Sequence, residues 1–167
     1  MKQLIITTLL LSILNVYGQE KDQQHMLKTS IYEGYYEYGK NAEKERVGGI
    51  ILFAETDSTL LFYIDLNAGA PSYSMGALYG RVKIKDNSGI FYKEINDSDT
   101  NCKWLFTFSK NNLILKTLDG EANCEFGHGV FADGTFKKAN GNHPDSFMNQ
   151  EGTIIYFSKT KPEAYNE

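Results

Sequence analysis

The sequence predicts an all-β fold: a single antiparallel meander barrel of about eight strands, with a β-sandwich as the alternative. Aromatic residues make up 13% of the 167 residues and 15 residues are glycine, a composition typical of short strands joined by tight turns. Segments rich in β-branched and aromatic residues recur along the chain, separated by turn signals at intervals of roughly 8–12 residues. No segment has a sustained 3.6-residue period, so we expect no substantial helix.

Eight or nine segments have the composition of strands, and several alternate between apolar and polar residues. Residues 102–108, for example, place Trp104, Phe106 and Phe108 on one face, the pattern of a strand with one buried face. The polar region 139–152 is predicted to be a surface loop before a last strand. In chain order, the predicted strands cover residues 31–38, 47–55, 59–66, 77–85, 90–95, 102–108, 113–118, 135–138 and 153–158.

Residues 1–18 have the pattern of a secretory signal peptide. Lys2 supplies a positive start, residues 4–14 form an apolar core, and Val16 and Gly18 are small residues before the predicted cleavage point. The apolar stretch is too short for a stable transmembrane helix. No cysteine lies near the cleavage point, so we expect no lipid anchor and no other membrane anchor. The pattern predicts an exported protein, either periplasmic or secreted.

Beyond the signal peptide, the sequence predicts a loose N-terminal segment at 19–30, one barrel domain at 31–160 and a tail at 161–167. Loss of Lys2 with the signal peptide takes the formal net charge of −4 to −5. A mildly acidic protein is a poor partner for the phosphate backbone of nucleic acids. The charge suits a cationic partner, and it equally serves solubility alone.

Two cysteines, Cys102 and Cys124, occur in the whole chain. In an oxidising compartment, a lone pair of cysteines predicts one disulfide. Cys124 and His128 are four residues apart, but no second pair of cysteine or histidine residues has the spacing of a zinc site. We therefore expect neither a metal nor another cofactor.

Nothing in the sequence forms a catalytic motif. The three histidines are His25, His128 and His143, and only His128 lies in a stretch that we expect to be structured. The chain contains no Gly-x-Ser-x-Gly elbow that would pair a serine nucleophile with a histidine base. The sequence therefore predicts a protein that is not an enzyme and has no catalytic residues.

The best interaction candidate is the loop at 67–76, which carries Ser72, Tyr73, Ser74 and Met75. Tyrosine offers rigid apolar area with a polar tip, and serine offers adaptable hydrogen bonds, so the two together are typical of binding loops. The alternative is a plain crossover between two strands, and the sequence favours neither interpretation.

A second candidate is the glycine-rich stretch that contains Phe126, His128 and Phe131. Asp133 and the glycine after it form a turn signal, and the aromatic residues suit a cover over a barrel end. The sharper alternative is a binding loop at the barrel rim, held rigid by the predicted disulfide.

Two stretches resemble known families. Gly34-x-Tyr36, which opens the first predicted strand, resembles the Gly-x-Trp start of calycin-type barrels, in which an aromatic residue closes one barrel end; tyrosine here takes the place of tryptophan. The run from Cys102 to Phe108, followed by residues 124–138, resembles small exported bacterial β-proteins of uncharacterised families, near lysozyme-inhibitor-type proteins. In those proteins two bridged cysteines flank a hairpin. The resemblance covers about 40 residues and implies a calycin-like barrel.

Two classes of function remain open. The first is an exported, non-enzymatic interaction module that binds a protein, such as an inhibitor of a cationic hydrolase like lysozyme. The second is a calycin-like carrier that holds a small apolar ligand inside the barrel. A carrier needs an interior cavity of several hundred Å³, whereas an interaction module can be filled with phenylalanine and tyrosine. Which rings point inward depends on strand register, which the sequence does not reveal.

We predict that the exported protein begins at or near Gln19. The expected result is an intact mass that lacks the first 18 residues, because signal peptidase removes the segment during export. Mass spectrometry of the exported fraction measures this directly. Exported protein that retains Met1 would contradict the prediction.

Overall fold

The computed structural model describes residues 26–94, 101–119, 124 and 126–165. Eight antiparallel strands form a closed barrel, which confirms the predicted fold class. The predicted signal peptide and His25 lie outside the described residues. A 3₁₀ helix, Lys28–Tyr32, precedes β1 (Gly34–Tyr38), β2 (Val47–Thr56), β3 (Thr59–Asn67), β4 (Met75–Lys85), β5 (Ser88–Lys93), β6 (Cys102–Ser109), β7 (Asn112–Asp119) and β8 (Gly134–Asn140); β9 (Ser146–Met148), β10 (Ile154–Tyr156) and the helix α1 (Pro162–Tyr165) follow.

The barrel is a simple meander in which each strand pairs with the next and β8 pairs with β1. The alternation along β6 is as the sequence predicts, since Trp104, Phe106 and Phe108 all point inward and are buried. At the centre, the ring centroid of Phe62 lies 5.0 Å from those of Phe91 and Phe106. An eight-stranded barrel is just wide enough for side chains to fill, and here aromatic rings fill it.

One end of the barrel is closed by the 3₁₀ helix. Tyr32 of this helix stacks on Phe108, with ring centroids 4.2 Å apart. Beneath it lies Tyr36, which is 2% exposed and donates its hydroxyl to the carbonyl oxygen of Tyr32 at 2.9 Å. Lys138 of β8 places its amine 5.6 Å from the centre of the Tyr36 ring. Burial, with a smaller contribution from Tyr32, raises the pKa of Tyr36 to about 12.

The first strand begins later than the sequence predicts. Residues 31 and 32 belong to the 3₁₀ helix, and β1 starts at Gly34. The residue between them, Glu33, is buried and accepts a hydrogen bond from the backbone N–H of Ala54 at 2.8 Å. Its other carboxylate oxygen meets Nδ1 of His143. These contacts turn the chain from the helix into the barrel wall and hold the segment after β8 against the same end.

The opposite end of the barrel is covered by Cys124 and residues 126–133, which we name the plug. Cys102 and Cys124 form the predicted disulfide, with Cα atoms 4.9 Å apart. Cys124, Val130 and Ala132 are buried and join the barrel core. Phe126 packs beside Trp104, with ring centroids 5.6 Å apart. The disulfide thus anchors the plug to the start of β6.

The C-terminal region differs from the prediction of a surface loop at 139–152. The strand β9 lies within that region, and β10 pairs with β9 instead of joining the barrel. We name residues 146–165 the C-terminal strap, because they cover the outer face of β2, β3 and β4. Phe147 is 3% exposed and stacks on Tyr63 at a ring distance of 4.0 Å. These strands carry apolar side chains on both faces. The strap covers the apolar side chains of the outer face and so removes them from water, which is favourable.

An ion network fastens the end of the strap. Nε of Arg81 lies 2.7 Å from Glu55, and the amine of Lys161 lies 2.9 Å from the same carboxylate. Glu163 of α1 pairs with the guanidinium of Arg81. Burial acts to raise the pKa of Glu55, but hydrogen bonds from Arg81 and Lys161 hold it below its ordinary value. The network joins the tail predicted at 161–167 to the barrel wall.

We predict that replacing both cysteines with alanine lowers the free energy of unfolding by about 3 kcal/mol, because the disulfide restricts the unfolded chain. The two residues are 22 positions apart in sequence. Urea unfolding of the double variant measures the loss, and reduced wild-type protein is the matched control. Equal unfolding midpoints for oxidised protein and double variant would contradict the prediction.

We predict that Phe147→Ala lowers the free energy of unfolding by about 3–5 kcal/mol, as truncations of buried phenylalanine do. The control is Met148→Ala, since Met148 is 64% exposed and its loss should change stability by about 0.5 kcal/mol or less. Urea unfolding of both variants makes the comparison. Equal stability of the two variants would show that the strap is not part of the packed structure.

Candidate functional site

The structure brings the two predicted candidate loops together at the plugged end of the barrel. The backbone N–H of Gly127 donates to the carbonyl oxygen of Met75 at 2.9 Å. The ring of Phe126 lies directly over Gly76, where any side chain would clash with it. The regions that the sequence presents as separate candidates therefore form one surface. We name it the loop rim, made of residues 39–46, 68–75 and 126–133.

Within the loop rim, residues 68–74 form a tight, internally bonded turn. The N–H of Ala68 donates to the carbonyl oxygen of Ser74 at 2.8 Å, and the N–H of Tyr73 donates to that of Gly69 at 2.9 Å. Asn67 accepts from the N–H of Gly69 through Oδ1 at 2.8 Å. Tyr73 itself has a φ of 50°, a left-handed conformation that is uncommon for a bulky residue. The turn holds the Tyr73 side chain outward, 42% exposed.

The neighbouring loop, 39–46, supports this turn from one side. The hydroxyl of Tyr73 donates to Oε1 of Glu43 at 2.7 Å, and this hydrogen bond is the main cause that raises the pKa of Tyr73. The N–H of Ala70 donates to the carbonyl oxygen of Ala42 at 2.7 Å. Gly69, with a φ of 76°, lies against the carbonyl oxygen of Glu45, where a side chain would clash. Glycine is therefore required at this close approach.

Arg46 ties the loop 39–46 to the plug. Its guanidinium donates to the carbonyl oxygens of Phe131 and Asp133 and lies 4.4 Å from the centre of the Tyr38 ring. Asp133 in turn accepts a hydrogen bond from the N–H of Thr117 in β7. All three loops of the rim are thus bonded to one another or to the barrel wall.

The predicted site residues divide into two groups in the structure. Ser74 and Phe126 are partly buried, and Phe126 serves as a packing residue between Trp104 and Gly76. The side chains that face solvent are those of Ser72, Tyr73, Met75, His128 and Phe131. The loop rim therefore presents a tyrosine, a methionine and a phenylalanine on a backbone fixed by hydrogen bonds.

A groove of about 380 Å³ lies on the outer wall beside the loop rim. Sequence reasoning did not predict it. Strand register places Gly49, Asp65 and Ala77 in one row across β2, β3 and β4, all on the outer face. Two of these three residues are small, so the row is a depression in the sheet surface in which Asp65 stands. Met148 of the C-terminal strap forms part of its border.

The two histidines in the described ranges lie at opposite ends of the barrel. His128 is exposed on the loop rim, and His143 meets the buried carboxylate of Glu33 at the closed barrel end. Within the described ranges, the His, Cys, Asp and Glu side chains form no group of three or more that could hold a metal ion.

No protein-family model, curated protein or solved structure matches the chain. None of the helices in the described part of the chain has the length and apolar character needed to cross a membrane.

Proposed function

We propose that the chain is an exported, non-enzymatic protein-binding module that docks through its loop rim. The observation that carries this proposal is the set of hydrogen bonds that fixes three loops around the outward-facing side chain of Tyr73. A surface already held in its binding conformation loses little entropy when it docks. Tyrosine is among the residues that most often dominate the energy of protein interfaces. The signal-peptide pattern and the disulfide support export.

The proposed partner is a cationic hydrolase of the lysozyme kind. The chain carries a formal net charge of −4, and Asp65 lies in the groove beside the loop rim, whose own Glu43, Glu45 and Asp133 are matched in number by Lys40, Lys44 and Arg46. Opposite charges on two surfaces accelerate their encounter and favour the correct partner. In this proposal the pre-formed turn presents the exposed Tyr73 side chain to the active-site cleft of the hydrolase.

The packed barrel supports docking by the outer surface over transport of a small apolar ligand inside. Phe62, Trp104, Phe106 and Phe136 are each at most 1% exposed and occupy the interior. The 3₁₀ helix covers one end of the barrel, and the plug that includes Val130 covers the other. A carrier would need an open interior of several hundred Å³.

We predict that the wild-type protein inhibits lysozyme and that Tyr73→Ala weakens the complex by about 2 kcal/mol or more. The matched control is Tyr92→Ala, because Tyr92 is an equally large side chain that is 54% exposed on the outer face of β5 and is not part of the loop rim. Inhibition assays and calorimetric titration measure the affinities. Both variants should keep the wild-type melting temperature, since neither side chain belongs to the core.

Three results would overturn the proposal. The absence of both inhibition and binding would exclude lysozyme as the partner. Equal weakening by the Tyr92 variant would show that the loop rim is not the contact. A melting temperature many degrees lower for the Tyr73 variant alone would show that Tyr73 is a structural residue.

A further inference from the structure

We propose that the groove beside the loop rim is a binding site for an arginine side chain of the partner protein. This inference rests on the proposed function, because it places the groove within the same docking surface. Met75 belongs to both surfaces, since its carbonyl oxygen bonds Gly127 within the loop rim and its side chain lines the groove. The sequence did not reveal this groove. The side chains that line it indicate which chemical group it can bind.

Strand register explains why the groove exists. The row that contains Gly49 and Asp65 lies between two rows of larger side chains, with Val47, Asn67 and Met75 on one side. On the other side lie Tyr35, Ile51 and Tyr63. The tip of the Tyr35 ring reaches over Gly49, where any side chain would clash with it. The missing side chain at position 49 thus leaves room for the aromatic ring, which forms one wall of the groove.

Asp65 is the carboxylate among the residues that line this depression, and Glu37 of β1 pairs with Gly49 in the same row of the outer face. Asp65 accepts a hydrogen bond from the side-chain amide of Gln150 on Oδ1 at 2.9 Å, which orients the carboxylate. None of the described residues that line the groove is basic, and Asp65 forms no ion pair within the described ranges. The negative charge of Asp65 acts on Tyr35, which lines the groove. The pKa of Tyr35 is raised by burial first, and then by the charges of Glu37 and Asp65.

These walls match the parts of an arginine side chain. The guanidinium group pairs with a carboxylate and stacks favourably on an aromatic ring, which Asp65 and Tyr35 supply. The aliphatic stem of arginine packs against apolar surface, which Met75 and Met148 supply. A volume of about 380 Å³ is more than enough for one such side chain. A lysine amine would gain less, because it lacks the planar group that stacks.

The test uses N-acetyl-arginine methylamide as the probe, with the full exported chain labelled on its methionine methyl groups. NMR titration should shift the methyl signals of Met75 and Met148 and leave that of Met26 unchanged, because Met26 lies beside the 3₁₀ helix at the opposite barrel end. The citrulline analogue has nearly the same shape without the charge, and it should produce no shift. Asp65→Asn should weaken probe binding by about tenfold, since charge-assisted bonds are the stronger ones.

The control variant is Asp86→Asn, which removes an equal charge from the turn between β4 and β5 and should leave probe binding unchanged. Shifts by citrulline equal to those by arginine, or full binding by the Asp65 variant, would overturn the proposal. Tighter binding of the lysine analogue would overturn the assignment to arginine.

The probe experiment needs no partner, so the two proposals fail separately. If the arginine probe binds and lysozyme does not, the groove stands and the partner proposed above is wrong. If Tyr73-dependent inhibition is found and the probe does not bind, the function stands and the groove is not an arginine site. Tyr73→Ala should leave probe binding unchanged, because Tyr73 does not line the groove.

Discussion

The packing of the Phe62 ring at the centre of the barrel is the interaction on which the rest of the structure depends. It contacts Phe91 edge to face and Phe106 at an angle, and it lies over Gly80, whose missing side chain leaves it room. Trp104 continues the cluster, with its ring centroid 6.2 Å from that of Phe62. Protein interiors are packed as densely as organic crystals, so a ring at this position fixes the separation of the strands around it.

The same cluster positions the candidate site. Trp104 packs against Phe126, and Phe126 lies over Gly76 beside the first residue of β4. The aromatic core therefore extends without a break from the middle of the barrel to the base of the loop rim. The loop rim therefore rests on this core and on the disulfide to Cys124.

Much of the barrel could be predicted from the sequence, because the signals for its strands and turns lie within short segments. Alternation along β6 and the turn signals between strands report burial and hairpins directly, and the lone pair Cys102 and Cys124 allows one bridge. In the C-terminal strap, the predicted strand at 153–158 contains β10, but the sequence did not reveal that it pairs outside the barrel. The strand β9 was missed because it is three residues long and lies in a polar stretch, where Phe147 was its one apolar aromatic signal.

The groove could not be predicted, because it depends on which residues stand side by side on neighbouring strands. Gly49 and Ala77 are far apart in the sequence, and only the pairing of both strands with β3 brings them to either side of Asp65. For the loop rim, the composition of residues 67–76 presented a candidate binding loop, with a plain crossover as the equal alternative. Its contact with residues 126–131 could not be predicted, because it arises from barrel closure, which brings distant parts of the chain together.

The barrel end that the 3₁₀ helix covers determines how the protein can be attached to a support. The chain enters the fold through the 3₁₀ helix, on the side opposite the loop rim, where Tyr32 stacks on Phe108. A tether can therefore be attached on the N-terminal side of residue 26, to a bead, a sensor chip or a fused protein. The length of the barrel then separates the support from the loop rim. Tyr73 then points away from the support, as an anchored receptor presents its binding face to the solution.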